Sequence, residues 1–160
     1  MENNDHGIIT AVLGKNTAAL HIALKQPDID INTRDEDGRT ALMHAATEGL
    51  AEMVNVLIAG GASVNLVDRE NGQAALHFAS QGWHIEVVKK LINSNAQVDV
   101  VDKFGNSPLW RAVFESKGRG EVIKMLLDAG ADKNLANLKG TSPLILSKRI
   151  SNFDVAKFMT

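Results

Sequence analysis

No cysteine and no tyrosine occur among the 160 residues, proline appears three times, and the aromatics amount to two tryptophans and five phenylalanines. Without cysteine there is no disulfide framework and no thiolate metal site. That absence agrees with a reducing compartment. The start, Met1 to Asp5, is polar and acidic and lacks the basic lead and apolar core of a signal peptide, so the expected location is the cytoplasm. Long hydrophobic runs are missing too. The longest uncharged apolar stretch, Val54 to Val67, is interrupted by Asn55, two glycines, Ser63 and Asn65, and falls short of the roughly 20 residues a membrane helix needs. No membrane partner is expected. Nor is there an excess of either charge: 17 basic against 19 acidic residues leave a formal charge of −2. A binder of phosphate backbones needs a clustered positive surface, so nucleic acid is excluded as a partner. The remainder, 44% apolar and 22% charged over the length of one domain, is the balance of a globular protein.

What is present is a period. A glycine two residues before a Thr, Ser or Ala and four before a leucine recurs as Gly38-Arg39-Thr40-Ala41-Leu42, Gly72-Gln73-Ala74-Ala75-Leu76, Gly105-Asn106-Ser107-Pro108-Leu109 and Gly140-Thr141-Ser142-Pro143-Leu144, at intervals of 34, 33 and 35 residues. Self-similarity of this length signals stacked supersecondary units. An acid follows in each unit, as Glu52, Glu86, Glu121 and Asp154, and opens an apolar run at helical spacing. There the N-terminal end of a helix dipole favours negative charge. A third mark closes the unit as Gly61-Ala62-Ser63-Val64-Asn65, Asn95-Ala96-Gln97-Val98-Asp99 and Gly130-Ala131-Asp132-Lys133-Asn134, followed by Asp68, Asp102 and Asn137. Gly and Asn suit a left-handed helix stop.

Each unit therefore reads as a turn, a short helix, a second helix, a stop and an extended link. Ser107-Pro108 and Ser142-Pro143 place a capping hydroxyl before a proline at the first helical position, where its missing N–H leaves nothing unsatisfied. Such a unit cannot bury its apolar stripe alone, so neighbours must stack and share a core. At the capping position Ala74 replaces the Thr or Ser of the other units, and two extra residues lie within 114–120, where glycines make the link permissive.

Gly-x-Ser-Pro-Leu, Ala74-Ala75-Leu76-His77-Phe78-Ala79, His84-Ile85-Glu86-Val87-Val88 and Asp128-Ala129-Gly130-Ala131-Asp132 resemble the ankyrin repeat. The resemblance implies an all-α solenoid of helix-turn-helix units joined by short β-hairpin-like turns, one domain over 1–160. The units run over 35–68, 69–101, 102–136 and 137–160, the last a C-terminal cap ending within its second helix. A degenerate N-terminal cap over 5–34 aligns Asn32 with Asn65, Asp35 with Asp68 and Leu24 with Leu57. In such a frame His77 and His84 take structural positions, Trp110 replaces the structural histidine of its unit, and Trp83 stands where the family prefers glycine.

Chemistry has few candidates. The five histidines form no His-Glu-x-x-His pattern, so neither a metal nor a cofactor is expected. Gly14-Lys15-Asn16-Thr17 lacks the first glycine of a phosphate loop and has asparagine after the lysine; it reads as a helix-to-helix turn. His84-Ile85-Glu86 lacks the paired cysteines of a zinc deaminase, and no Gly-x-Ser-x-Gly elbow occurs. A groove site using His44, His77 and Glu48 is the enzymatic or small-ligand alternative. It is disfavoured because catalysis needs convergent titratable groups in a pocket. A passive spacer is disfavoured because both ends read as caps. The chain is thus expected to be no enzyme.

By the resemblance, a protein partner docks on the concave face of turn tips and first helices. The tip candidates are Glu36, Asp37, Arg39, Arg69, Glu70, Lys103 and Phe104, with Gln73, Asn106, Lys139 and Thr141 beside them. The first-helix candidates are His44, Glu48, Phe78, Gln81, Trp110, Arg111, Phe114 and Glu115, together with Thr47. Phe104, Trp110 and Phe114 cluster beside Arg111, and aromatic and arginine anchors dominate interface energies. Trp110 is either packed or exposed on this reading. The expected function is binding that blocks or sequesters a folded protein by a chain that is a monomer until it binds. Likeness to small bacterial ankyrin proteins adds a narrower alternative, an immunity protein covering the active site of a toxin.

Overall fold

A computed structural model describes residues 6–159; Met1 to Asp5, on which the reading of the N-terminus rests, and Thr160 lie outside the described residues. Within them run α1 (His6–Leu13), α2 (Thr17–Ala23), α3 (Ala41–Thr47), α4 (Ala51–Ala59), α5 (Ala75–Gln81), α6 (Ile85–Asn93), α7 (Pro108–Phe114), α8 (Glu121–Asp128) and α9 (Pro143–Arg149). The expected caps open three of the first helices. Thr40, Ser107 and Ser142 accept the N–H groups of Met43, Trp110 and Ile145 at 3.4, 3.2 and 3.3 Å, and Pro108 and Pro143 follow the two serines. In α5 the Ala74 side chain caps nothing; its N–H donates instead to His77 Nδ1 at 3.1 Å. Glu52, Glu86 and Glu121 occupy the first turns of α4, α6 and α8.

The first helices α1, α3, α5, α7 and α9 pack side by side in one layer, and α2, α4, α6 and α8 form the second. The core lies between. Leu42, Leu76 and Leu109 from the first layer and Leu57, Leu91 and Leu126 from the second are almost wholly buried. Alanines at 45, 46, 75, 79 and 112 are buried as well, and their small side chains let the first helices approach closely. This is the all-α repeat solenoid that the period requires.

Hairpin-like tips link the pairs, with antiparallel bridges at Arg34–Thr40 and Val67–Ala74. At the base of each tip one side-chain oxygen gathers backbone N–H groups. Asp35 accepts from Arg39, Asp68 from Asn71 and Gln73, Asp102 from Phe104 and Asn106, and Asn137 from Lys139 and Thr141, all between 2.8 and 3.0 Å. Successive tips are then joined by backbone bonds from Arg69 N–H to Asp37 C=O, Lys103 to Asn71 and Leu138 to Phe104, at 3.2, 2.8 and 3.0 Å. Gly105 is required here twice over: its φ is +79°, and a Cβ would stand 2.8 Å from the Leu138 nitrogen.

A second ladder joins the links after the second helices. Asn32, Asn65 and Asp99 accept the N–H groups of Ser63, Gln97 and Asp132 at 2.8, 2.8 and 3.0 Å. Asn32 thus does the same work as Asn65. The helix stops agree: Gly61, Asn95 and Gly130 are left-handed at φ +95°, +62° and +93°, and Asp28 takes the same conformation at +61°.

Two features differ from expectation or refine it. The last unit does not continue into a second α-helix after Asp154; a single 3₁₀ turn, Ala156–Phe158, stands there. The tight turn buries Val155 and Met159 and sets the Phe158 ring against Gly120 and beneath the Lys124 ammonium, 5.4 Å from the ring centre. Trp83, where the family prefers glycine, plugs the end of α5. It is held at φ +58°, where its counterpart Gly49 has +69°, at a backbone cost of about 1–2 kcal/mol. Its ring is 6% exposed and lies under the Arg119 guanidinium at 4.3 Å. Burial of so large a side chain works against the strain, while its Nε1 is buried with no hydrogen-bond partner among the described residues. Arg119 belongs to the lengthened link, whose Gly118 packs on Phe153, so the insertion covers Trp83 and reaches the last unit.

The missing cap gives a test. Ala74→Thr supplies the hydroxyl that Thr40 offers in its own unit and is expected to stabilise the protein by about 1 kcal/mol in urea unfolding. An unchanged or lower midpoint contradicts the equivalence of the two positions.

Candidate functional site

The tips and the first helices share one face, and its residues differ in how free they are. Glu36, Asp37, Arg69, Glu70, Gln81 and Thr47 are exposed, and Glu48 is exposed but paired with Lys15 at 3.0 Å. Arg39 is engaged within the chain: it stands 3.8 Å from Asp68 and 3.7 Å from Glu70 and lies 5.0 Å over the Phe78 ring. Phe78 corrects the expectation of a contact residue. It is 8% exposed, because its helix turns it under Arg39 and into the stack. Gln73 and Asn106 are buried as well, their backbone N–H groups held by Asp68 and Asp102.

His44 and Arg111, expected as anchors, are the inward partners of tip carboxylates. His44 Nε2 is 2.6 Å from Asp35 Oδ2, and the Arg111 guanidinium donates to Asp102 Oδ2. Burial works against the charge on both carboxyls. Hydrogen bonds from His44 to Asp35 and from Arg111 to Asp102, with the nearby backbone N–H groups, hold each below the ordinary carboxylate range.

Towards the last two units the face changes character. Between the tips at Phe104 and Leu138 lies a groove of about 500 Å³, floored by Trp110 and Leu146 and bounded by Lys139, Thr141 and Arg149. Phe104 is 49% exposed and Leu138 80%, two large apolar side chains standing free at neighbouring tips. Lys103 lies 5.1 Å over the Phe104 ring. Trp110 is half-buried, stacked on the exposed Phe114 at 5.3 Å between ring centres, so it is wall and packing element together. Glu115 is half-buried at the end of α7. Of the sequence candidates the structure brings Phe104, Asn106, Trp110, Lys139 and Thr141 to the groove and sets Phe114 beside it; the acidic tip residues Glu36, Asp37 and Glu70 lie at other tips. Leu138, Leu146 and Arg149 were not anticipated. A signal existed for Leu138, which stands directly after the tip residue Asn137 where Glu36, Arg69 and Lys103 follow Asp35, Asp68 and Asp102.

Among the described residues no group of three or more His, Asp or Glu side chains could hold a metal ion, and no helix is long and apolar enough to cross a membrane. The sequence matches the family description "Ankyrin repeats (3 copies)" over residues 53–137 and "Ankyrin repeats (many copies)" over 22–79. The chain belongs to the ankyrin-repeat family. Ankyrin repeats are general protein–protein interaction modules and are typically not enzymes. A relative is Delta-latroinsectotoxin-Lt1a of Latrodectus tredecimguttatus, 43% identical over 65 residues. The match spans 39% of this chain and 5% of that protein.

In this ankyrin stack the two structural histidines bridge units. His77, fully buried, accepts the Ala74 N–H on Nδ1 and donates from Nε2 to the Asn106 carbonyl of the next tip at 3.0 Å; His84 Nε2 reaches the Thr47 carbonyl of the preceding unit at 2.8 Å. Burial pushes the His77 pKa down from 6.5 to about 4, although the Asn106 bond opposes the shift. The folded protein therefore resists protonation that the unfolded chain accepts. His77's contribution is complete above pH 6.5 and is lost as pH falls towards 4, by up to about 3 kcal/mol. Urea unfolding across that interval should show the loss, and His77→Gln should flatten it. An equal pH slope in wild type and variant contradicts the assignment.

Proposed function

We propose that this ankyrin-repeat protein binds a folded protein partner through the face of tips and first helices, with the groove beside Phe104 and Leu138 as its centre, and that occupying the partner's surface is its action. The observation that carries the reading is the pair of free apolar side chains at adjacent tips, flanking a groove of about 500 Å³. Exposed apolar side chains gathered into a depression are what an interface core offers, whereas scattered ones are ordinary surface. The charged tips at Glu36, Asp37, Arg69 and Glu70 form the rim of this face, where mixed charge steers encounter more than it adds affinity. A cytoplasmic protein that is a monomer until it binds fits the same reading.

The test is a pull-down from native extract with the wild type, Phe104→Ala/Leu138→Ala, and a control pair on the second-helix side, Lys89→Ala/Asn93→Ala, after circular dichroism shows all three folded. One stoichiometric partner retained by wild type and control and lost by at least tenfold with the tip variant supports the proposal. A partner lost with the control pair, and kept by the tip variant, moves the interface to the other layer. The narrower reading, a toxin whose active site the stack covers, rests on likeness to small bacterial ankyrin proteins alone. Protection from the captured partner in a co-expression killing assay supports it, and absence of protection removes it.

A further inference from the structure

The groove between the last two tips differs from the rest of the face in charge as well as in polarity. Its lining residues are Phe104, Asn106, Trp110, Asn137, Leu138, Lys139, Thr141, Leu146 and Arg149, and they include two cations and no acid. Elsewhere on the face three cations meet carboxylates of this chain, Lys15 with Glu48, Arg39 with Asp68 and Glu70, and Arg111 with Asp102, while Lys103 donates to the Glu70 carbonyl and the exposed Arg69 stands one residue from Glu70. Among the described residues neither Lys139 nor Arg149 has a carboxylate in ion-pair reach. The Arg149 side chain donates only to the neutral Thr141 hydroxyl, at 3.2 Å. A guanidinium beside apolar walls is a strong, directional site for a carboxylate, since it offers a fork of donors and is weakly hydrated.

We infer that this groove takes a segment of the partner protein that presents a large apolar side chain with an aspartate or glutamate close beside it. The apolar side chain enters between Phe104 and Leu138 over Trp110, and the carboxylate meets Arg149, with Lys139 adding positive potential. The inference deepens the proposed function and rests on it. It fixes the chemistry of the partner segment, which the resemblance to the family leaves open. Low-dielectric walls strengthen the ion pair relative to one at a free surface, so a neutral amide in place of the acid is a poor substitute.

The test is selection from a random peptide display library on three proteins: wild type, Lys139→Glu/Arg149→Glu, and Lys139→Gln/Arg149→Gln. Both positions are exposed, and circular dichroism verifies the folds. The expected result for wild type is enrichment of sequences in which Asp or Glu lies within a few positions of Leu, Ile or Phe. These sequences should bind the Gln variant at least tenfold more weakly, more weakly still at high salt, and the Glu variant should select Lys or Arg in place of the acid. The switch in preference cannot arise from mere loss of structure. Enriched sequences without acids, or acidic ones bound equally by the charge-reversed variant, overturn the inference. Failure of wild type to enrich any sequence also overturns it. In either case the proposed function stands or falls separately, on whether Phe104→Ala/Leu138→Ala loses the folded partner.

Discussion

One side-chain oxygen at the base of each tip, on Asp35, Asp68, Asp102 or Asn137, accepts backbone N–H groups that would otherwise be left unsatisfied in a tight turn. With the turn closed, its outer edge presents a free carbonyl and N–H to the neighbouring tip, and the tip-to-tip bonds follow at Arg69, Lys103 and Leu138. Buried polar backbone must find partners, so this constraint sets the spacing between units before any apolar contact refines it. The layer of first helices hangs from that spine. The second spine, built on Asn32, Asn65 and Asp99, fixes the spacing at the far end of each unit.

The face inherits its properties from the same constraint. At two tips the oxygen that remains after the turn is satisfied is met by a first-helix side chain, His44 at Asp35 and Arg111 at Asp102, whereas at Asp68 the equivalent position is Phe78 and Arg39 of the preceding tip stands 3.8 Å away. Those side chains position the tips and have little freedom to engage a partner. In the last unit the tip residue is the neutral Asn137, which bonds the Asn106 side chain and leaves the corresponding helix position to Leu146. No inward cation is needed there. Replacement of a carboxylate by an amide at one tip thus accompanies the change from tips with inward charged partners, as at Asp35 and Asp102, to an apolar groove edged by Lys139 and Arg149.

Much of the fold was legible in the sequence because a repeat states each requirement several times. The glycine before each first helix and the Gly or Asn stops take left-handed backbone that few other residues adopt at low cost, the hydroxyl caps satisfy first-turn N–H groups, and the acids meet the positive ends of the second helices. For the degenerate first unit the sequence offered Asn32, Asp35 and Leu24, and Asn32 makes the same bond to the next link as Asn65 does. Legibility ended where one side chain had two competing environments. Phe78 could cover the face or enter the stack, and the choice was made by Arg39, whose guanidinium lies over it. The final unit shared an acid and apolar spacing with the others, yet the Phe158 ring found its seat against Gly120 within a single 3₁₀ turn. Of the candidate site, Phe104 and Trp110 were visible as aromatics in a chain with few of them. The groove's other half, Leu138, Leu146 and Arg149, carried no rare residue type and required the packing of α9 against α7 to be seen.

On the proposed reading the partner is met on the tips and first helices of the last two units, and not on the layer of second helices. Amide hydrogen exchange of the isolated protein and of its purified complex tests this most directly. New protection is expected at 103–106 and 138–141 and along the exposed sides of α7 and α9, with α4, α6 and α8 unchanged. Protection confined to α4, α6 and α8, with the tips exchanging as they do in the free protein, would contradict it.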